Sequence, residues 1–209
     1  MSDSPTIDSA DRNRRRRRRT VLGIGAIFLL PLAAALYLYY GLPGLRPIGT
    51  VNHGVLVEPP QPVPALSLPL FPAGRTRPDF LARRWTLLYV GSGVCGERCR
   101  AALYDTRQVR IALDQDMNRV QRVFLATGRC CDAQFLRSQH PDLITVRVTA
   151  AAAPLIAVLP TYGGNSPLGA GRVYLIDPHG NLMMSYPPNA PPKGMLDDLQ
   201  RLLQLSTIG

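Results

Sequence analysis

The chain has 209 residues, room for one domain with extensions, and 46% of them are hydrophobic. Its formal net charge of +10 is uneven: residues 1–19 hold seven Arg against three Asp, and the remainder still carries about +6. Of its 24 basic residues all but Lys193 are Arg, a bias of composition that says little about partners. The arginine run Arg14–Arg19 has the look of a nucleic-acid patch, but the apolar stretch directly after it excludes that use.

Met1 to Arg19 has almost nothing to bury and is expected to be a disordered, cytoplasmic tail. Thr20 to Tyr40 is 21 residues without a charge, close to the ~20 that span a bilayer. Tyr37, Tyr39 and Tyr40 stand at its far end, where an aromatic belt belongs, and Pro31 is tolerated in a membrane helix. Six arginines before the span and none directly after it put the N-terminus in the cytoplasm. The expected location is therefore a bacterial inner membrane, crossed once, with the C-terminal domain in the periplasm. A cleaved signal peptide is the rival, with Ala33-Ala34-Ala35 as its cleavage site. The apolar character continues through Leu36 to Tyr40, which favours an uncleaved anchor. Either way, residues from Gly41 onward lie where a disulfide is permitted.

Residues 41–75 are proline-rich and are expected to form a membrane-proximal linker with a short edge segment at Ala65 to Leu70. His53, alone in that loop, is a turn residue or a ligand. A compact domain is expected over 76–209. Trp85 to Val90 has the composition of a buried strand, and Gly91, Ser92 and Gly93 break it. Cys95 and Cys99 follow, and Glu97 to Met117 reads as a helix with Leu103, Val109, Leu113 and Met117 on one face. Arg122 to Thr127 is a second strand. Asp132 caps a helix running to His140, Ile144 to Val148 alternates as a third strand, and Ala150 to Leu159 is helical. Thr161 to Gly171 stays unassigned. Arg172 to Asp177 and Leu182 to Tyr186 form a hairpin about the turn Pro178-His179-Gly180-Asn181, and Pro192 to Leu205 closes the chain as an amphipathic helix. This is an α/β order with a sheet of mixed sense and matches a thioredoxin-like fold behind a single N-terminal transmembrane helix.

Cys95 and Cys99 are the candidate site. A cysteine near a helix N-terminus lies close to unsatisfied N–H groups and the positive end of the dipole, which favours its thiolate. Arg98 and Arg100 add positive potential. With Cys99 in the first turn, C-x3-C spacing separates the two by about one turn, ~5.4 Å of rise, inside disulfide range. The same pair, reduced, offers two soft thiolates to one Cu(I). Cys95 is expected to be the more reactive thiol. Cys130 and Cys131 follow the second strand, near the same end of the sheet; neighbours in sequence rarely bond to each other, so they read as a resolving thiol, an extra ligand, or one buried filler and one surface thiol. There is no Walker loop, no G-x-G-x-x-G after a strand, no H-E-x-x-H, no zinc spacing and no nucleophile elbow around Ser92. No base is evident beside Cys95 for peroxidase chemistry.

Arg84-Trp-Thr-Leu-Leu-Tyr-Val-Gly91, the Cys95-x3-Cys99 pair and Val173-Tyr-Leu-Ile-Asp-Pro-His-Gly180 resemble the SCO/SenC family, membrane-anchored thioredoxin-like proteins that assemble the copper centres of cytochrome c oxidase. The resemblance covers roughly residues 63 to 205. It implies Cu(I) held by Cys95 and Cys99, no organic cofactor, and a cytochrome c oxidase subunit or other oxidase assembly factors as partners, with the membrane as support and no nucleic acid. The departures matter. Family members have proline after the cysteines, where this chain has Gly96 and Arg100. Their third copper ligand is a histidine shortly before the Tyr-Leu-Ile strand, where this chain reads Ser166-Pro-Leu-Gly-Ala-Gly-Arg172. His179 stands on the other side of that strand, and Met183 and Met184 point to opposite faces. Three functions stay open: an assembly factor holding or delivering Cu(I), a thiol–disulfide oxidoreductase keeping copper-site cysteines reduced, with Cys95 attacking and Cys99 resolving, and a non-catalytic tethered scaffold.

Overall fold

The structure, a computed structural model, describes residues 7–41 and 52–206 and falls into two units, one on each side of Val51. The first unit is a single helix, α1 (Ile7–Gly41), in which residues 14–38 are long and apolar enough to cross a membrane. Residues 7–19, expected to be disordered, are helical. Arginine is a good helix former, and the apolar segment beyond already meets the cost of nucleation, so the helix extends backward through the arginines at little cost. Pro31 sits inside it.

The second unit starts at Asn52, not at Thr76. Residues 55–62, expected to be linker, form strand β1 (Val55–Pro62). Its prolines are tolerated because it lies at the sheet edge, where one row of backbone groups needs no partner. The remaining elements are β2 (Trp85–Ser92), α2 (Glu97–Ala112), β3 (Val120–Thr127), α3 (Ala133–Gln139), β4 (Leu143–Arg147), α4 (Ala153–Val158), β5 (Val173–Ile176), β6 (Asn181–Tyr186) and α5 (Pro192–Leu205). The strands form one mixed sheet in the order β1-β6-β5-β2-β3-β4. β2, β3 and β4 are parallel, and β5 runs against β2.

Gly91 and Ser92 do not end β2: they pair with Ala126 and Thr127, so the strand reaches further than its apolar run. The helix expected to Met117 stops at Ala112, and residues 114–119 tighten into a 3-10 turn behind Asp114, whose φ of 49° is left-handed. Asp132 caps α3 as expected, accepting from the Phe135 N–H at 3.0 Å. One sheet face carries the apolar side chains of α2, α3 and α5, including Cys95, Cys99, Leu103, Leu136 and Leu199. The other packs Leu88, Val90, Leu125 and Tyr174 against Leu155 of α4 and against Leu68 and Leu81 of the preceding loops.

One polar cluster penetrates the first face. Arg122 of β3 is buried; its guanidinium pairs with Asp142 at 3.1 Å and donates to the Leu103 carbonyl at 2.6 Å. Beside it His140 is buried against the edge of Phe135, ring centroids 5.0 Å apart. Burial first, then Arg122 and Arg107, push the His140 pKa down from 6.5 to about 4, with Asp142 opposing. The folded chain therefore holds His140 neutral, while the unfolded chain protonates it at its ordinary value. Stability from this residue is full above about pH 6.5 and is lost as pH falls through about 4. Replacing His140 by Gln should flatten the acid limb of a stability-versus-pH curve across that window; an unchanged acid limb would assign the loss to other groups.

Candidate functional site

The dithiol lies where β2 hands the chain to α2. Trp85 to Val90 buries on both faces, which fixes the strand in the middle of the sheet. Gly91 is needed because the Tyr89 ring leans along the strand: a Cβ at position 91 would stand 2.8 Å from that ring. Gly93 is needed because the loop after β3 comes as close to it as backbone can. A Cβ there would lie 2.5 Å from the Arg129 carbonyl oxygen and 2.8 Å from the Cys130 Cα. The Gly93 N–H donates to the Thr127 carbonyl at 2.8 Å, tying the two loops together.

Cys95 and Cys99 are joined in a disulfide with Cα atoms 5.0 Å apart, the spacing expected when Cys99 stands in the first turn of α2. The Cys95 N–H donates to the Ser92 carbonyl at 2.9 Å, and its φ of 49° is left-handed, a conformation that costs a residue with a side chain about 1–2 kcal/mol. Such backbone positions persist where the surrounding structure holds them. Arg100 supplies that hold. Its Nε donates to the Cys95 carbonyl at 3.2 Å, its far nitrogen pairs with Asp132 at 3.3 Å, and its guanidinium lies 4.2 Å from the centre of the Phe135 ring. The first helical hydrogen bond of α2 runs from the Arg100 N–H to Gly96, so the N–H groups of Glu97, Arg98 and Cys99 have no partner within the helix.

Both cysteines are buried, Cys95 at 2% and Cys99 at 5% exposure. A groove of about 650 Å³ opens on one side, lined by Tyr89, Gly96, Arg98, Cys99 and, from the unassigned loop, Leu168 and Gly171. Cys99 lines it and Cys95 does not. Burial pushes the Tyr89 hydroxyl pKa up, with Arg98 opposing, so the groove floor is a neutral phenol. Cys95, expected from its place before the helix to be the more reactive thiol, is buried like Cys99 and does not line the groove. The loop ending at Gly171 borders the groove beside Cys99.

The other singled-out residues lie elsewhere or do other work. His53 bonds to Asp198 of α5 through its ring at 3.2 Å. His140 follows α3, ahead of β4 and thus at the opposite end of the parallel strands. His179 is exposed in the β5–β6 turn, also at that end. Met184 is core, its sulfur 3.1 Å from the Tyr186 hydroxyl, while Met183 is half-buried. Cys130 and Cys131 lie half-buried in the loop after β3, against the apolar cluster that holds Cys95 and Cys99. Among the described residues no group of three or more His, Cys, Asp or Glu is placed to hold a metal ion. The donor set at the dithiol, two thiolates once reduced, suits a two-coordinate soft cation. It does not make a three-ligand site, because the stretch at the groove before β5 presents Leu168 and glycines. Sequence reasoning missed Arg100 as the clamp of the Cys95 backbone; its spacing of five from Cys95 gave no helical or strand signal.

A mixed sheet flanked by helices, with a dithiol between a central strand and its following helix, defines a thioredoxin-like protein. Residues 85–206 match the family described as "Transmembrane-like, thioredoxin-like, C-terminal domain", and the chain belongs to that family. Among curated proteins none matches the sequence. Of solved structures, apo Sco1 from Thermus thermophilus is 18% identical with a TM-score of 0.59, the match covering 75% of this chain and 99% of that one. Copper-bound ScoI from Bradyrhizobium japonicum is 21% identical with a TM-score of 0.53, covering 68% and 98%. A thiol:disulfide interchange protein of the thioredoxin family from Chlorobium tepidum TLS is 17% identical with a TM-score of 0.54, covering 69% and 97%. At these identities the likeness is one of fold.

Proposed function

We propose that the chain is a membrane-tethered thiol–disulfide exchange protein whose Cys95–Cys99 pair cycles between dithiol and disulfide outside the cytoplasm. The observation that carries this reading is the disulfide itself, set at the N-terminus of α2 with one sulfur-bearing residue facing a groove. Residues 20–40 act as an uncleaved anchor in a bacterial inner membrane, with Arg14–Arg19 holding the N-terminus in the cytoplasm and the domain in the periplasm. In the reducing direction the Cys99 thiolate, favoured by the helix N-terminus and Arg98, attacks one sulfur of a client disulfide and expels the other as thiolate. Cys95 then attacks Cys99 in the mixed disulfide, closing the internal bond and releasing the client's second thiol. The left-handed Cys95 backbone and the Arg100 clamp keep the resolving sulfur within reach of Cys99 through both steps.

A redox titration of the full chain in detergent, read by maleimide mass shift, tests this. Cys95–Cys99 should open and close as one two-electron couple with a midpoint of roughly −270 to −120 mV, the range of working oxidoreductases. A midpoint below about −300 mV would mark a structural staple and leave the scaffold reading in its place.

The fold shared with copper-bound ScoI favours a second reading, in which reduced Cys95 and Cys99 hold Cu(I) as cargo for a cytochrome c oxidase subunit or another assembly factor. Cu(I) competition on the reduced chain separates the two. Tight binding lost in both Cys95→Ser and Cys99→Ser would carry the copper reading; binding no better than a simple dithiol would leave exchange alone.

A further inference from the structure

Resting on the anchor reading above, we propose that one face of α1 is a binding site for a single acidic phospholipid of the cytoplasmic leaflet. The helix does not stop where the arginines begin. It runs unbroken from them into the apolar span, with the Thr20 hydroxyl donating to the Arg16 carbonyl at 3.0 Å across the junction. Thr20 to Tyr40 is 21 residues, about 32 Å of helix at ~1.5 Å each, which matches the ~30 Å hydrocarbon layer of a bilayer. Arg14 to Arg18 therefore stand roughly 3–9 Å outside that layer, the depth of the polar headgroups.

What shares the face defines the ligand. An open groove of about 510 Å³ runs along the helix surface, lined by Arg14, Arg17 and Arg18 and, further along, by Val21 and Leu22. At about 100° per residue these five fall within roughly 140° of arc, and Arg15, Arg16 and Arg19 fall on the rest of the circumference. The three groove arginines are exposed, and so are Val21 at 69% and Leu22 at 71%. Three guanidiniums beside two bare apolar side chains complement a phospholipid, whose charged headgroup stands above its acyl chains. A guanidinium takes a phosphate through two parallel N–H···O bonds, and Val21 and Leu22 meet the first methylenes of a chain. Basic residues next to a span draw acidic lipids by charge alone. Here the charge shares a groove with apolar residues at the matching depth, which selects a lipid over a soluble polyanion. A zwitterionic lipid brings the same phosphate, but it also brings a cation that the three arginines repel.

The test uses the full chain in a non-ionic detergent, with bound lipid counted by native mass spectrometry as phosphatidylglycerol or phosphatidylcholine of identical chains is added. The chain should hold one phosphatidylglycerol at least about tenfold more tightly than phosphatidylcholine. Two triple variants of equal charge separate a site from charge alone. Arg14→Gln/Arg17→Gln/Arg18→Gln should weaken phosphatidylglycerol binding roughly 10–100-fold, and Arg15→Gln/Arg16→Gln/Arg19→Gln by less than about threefold. Equal losses in the two variants, or no preference between the lipids, would overturn the site. Displacement of phosphatidylglycerol by inorganic phosphate would put a soluble anion in the groove and overturn a lipid occupant. Alkaline carbonate extraction of the chain from vesicles of the two lipids keeps the proposal apart from the reading beneath it. A chain that stays in the membrane yet selects no lipid sinks this proposal alone. A chain released into solution sinks the anchor reading and the lipid site with it.

Discussion

Replacing Asp198 by Ala should cost about 3–5 kcal/mol, the range for removing one partner from a buried charged network. Asp198 is 3% exposed in α5, and its carboxylate collects the chain where the domain begins. It accepts from the His53 N–H at 3.0 Å, from the Gly54 N–H at 2.9 Å and from the Tyr186 hydroxyl at 3.1 Å. Burial and that carboxylate hold the Tyr186 hydroxyl pKa far above its ordinary value, so the phenol remains a donor at every pH the fold survives. The fit is close on both sides. A Cβ at Gly194, one turn before Asp198, would lie 2.8 Å from the His53 Cβ, and one at Gly54 would lie 2.8 Å from the Tyr186 ring. Alanine at 198 leaves the His53 N–H, the Gly54 N–H and the Tyr186 hydroxyl without the carboxylate that accepts from them. For a domain of this size the melting temperature should fall by roughly 10 °C. Protease cleavage near residues 52–62 should accelerate, because β1 loses its fastening to α5 and keeps only its edge pairing with β6. Asp198→Asn, which retains one acceptor oxygen, should fall between. An alanine variant melting within a degree of wild type would show that water or a shifted His53 takes over.

Little of that network was legible in the sequence. His53 and Gly54 read as spacer because prolines at 59, 60 and 62 hide the strand that follows, and Asp198 read as the polar face of an amphipathic helix. What joins them is a contact across 145 positions, which no local period encodes. Arg122 was missed in the same way. Its strand was plain from Val-Phe-Leu, but its burial depends on Asp142 and on a carbonyl of α2. Elements whose signal is local were readable: β2 from its apolar run, α5 from Pro192 and its apolar face, and the Asp132 cap from its place before α3.

The site divides along the same line. C-x3-C between a strand and a helix is a local signal, and it located Cys95 and Cys99 correctly at a helix N-terminus. Which of the two lines the groove is not local: the loop ending at Gly171 borders that groove, and no spacing rule reaches it. That Cys130 and Cys131 lie at the same end of the sheet was readable from the parallel order of β2 and β3, while the close packing of their loop on Gly93 was not.

Gly93 provides the sharpest test of that neighbourhood. Gly93→Ala should destabilise the domain by about 2–3 kcal/mol, the upper part of the range for an overpacked site, with a fall in melting temperature of roughly 5–10 °C. The added methyl would stand 2.5 Å from the Arg129 carbonyl oxygen, and backbone cannot rotate aside as a side-chain tip can. Relief requires one loop to move, either the one carrying Cys95 or the one carrying Cys130. Gly96→Ala is the matched control, three residues on in the same loop. Nothing stands within 4 Å of its Cβ position, and its φ of −65° suits any residue, so its stability should stay within about 0.5 kcal/mol of wild type. The pair of variants also reports on chemistry. Because the loops are locked to each other at Gly93, the alanine there should slow exchange at Cys95–Cys99 out of proportion to its effect on the melt at working temperature. A Gly93→Ala chain that melts and exchanges like wild type would mean that the loops are not locked at Gly93, and that Cys95 and Cys130 share an edge of the sheet without sharing a structure.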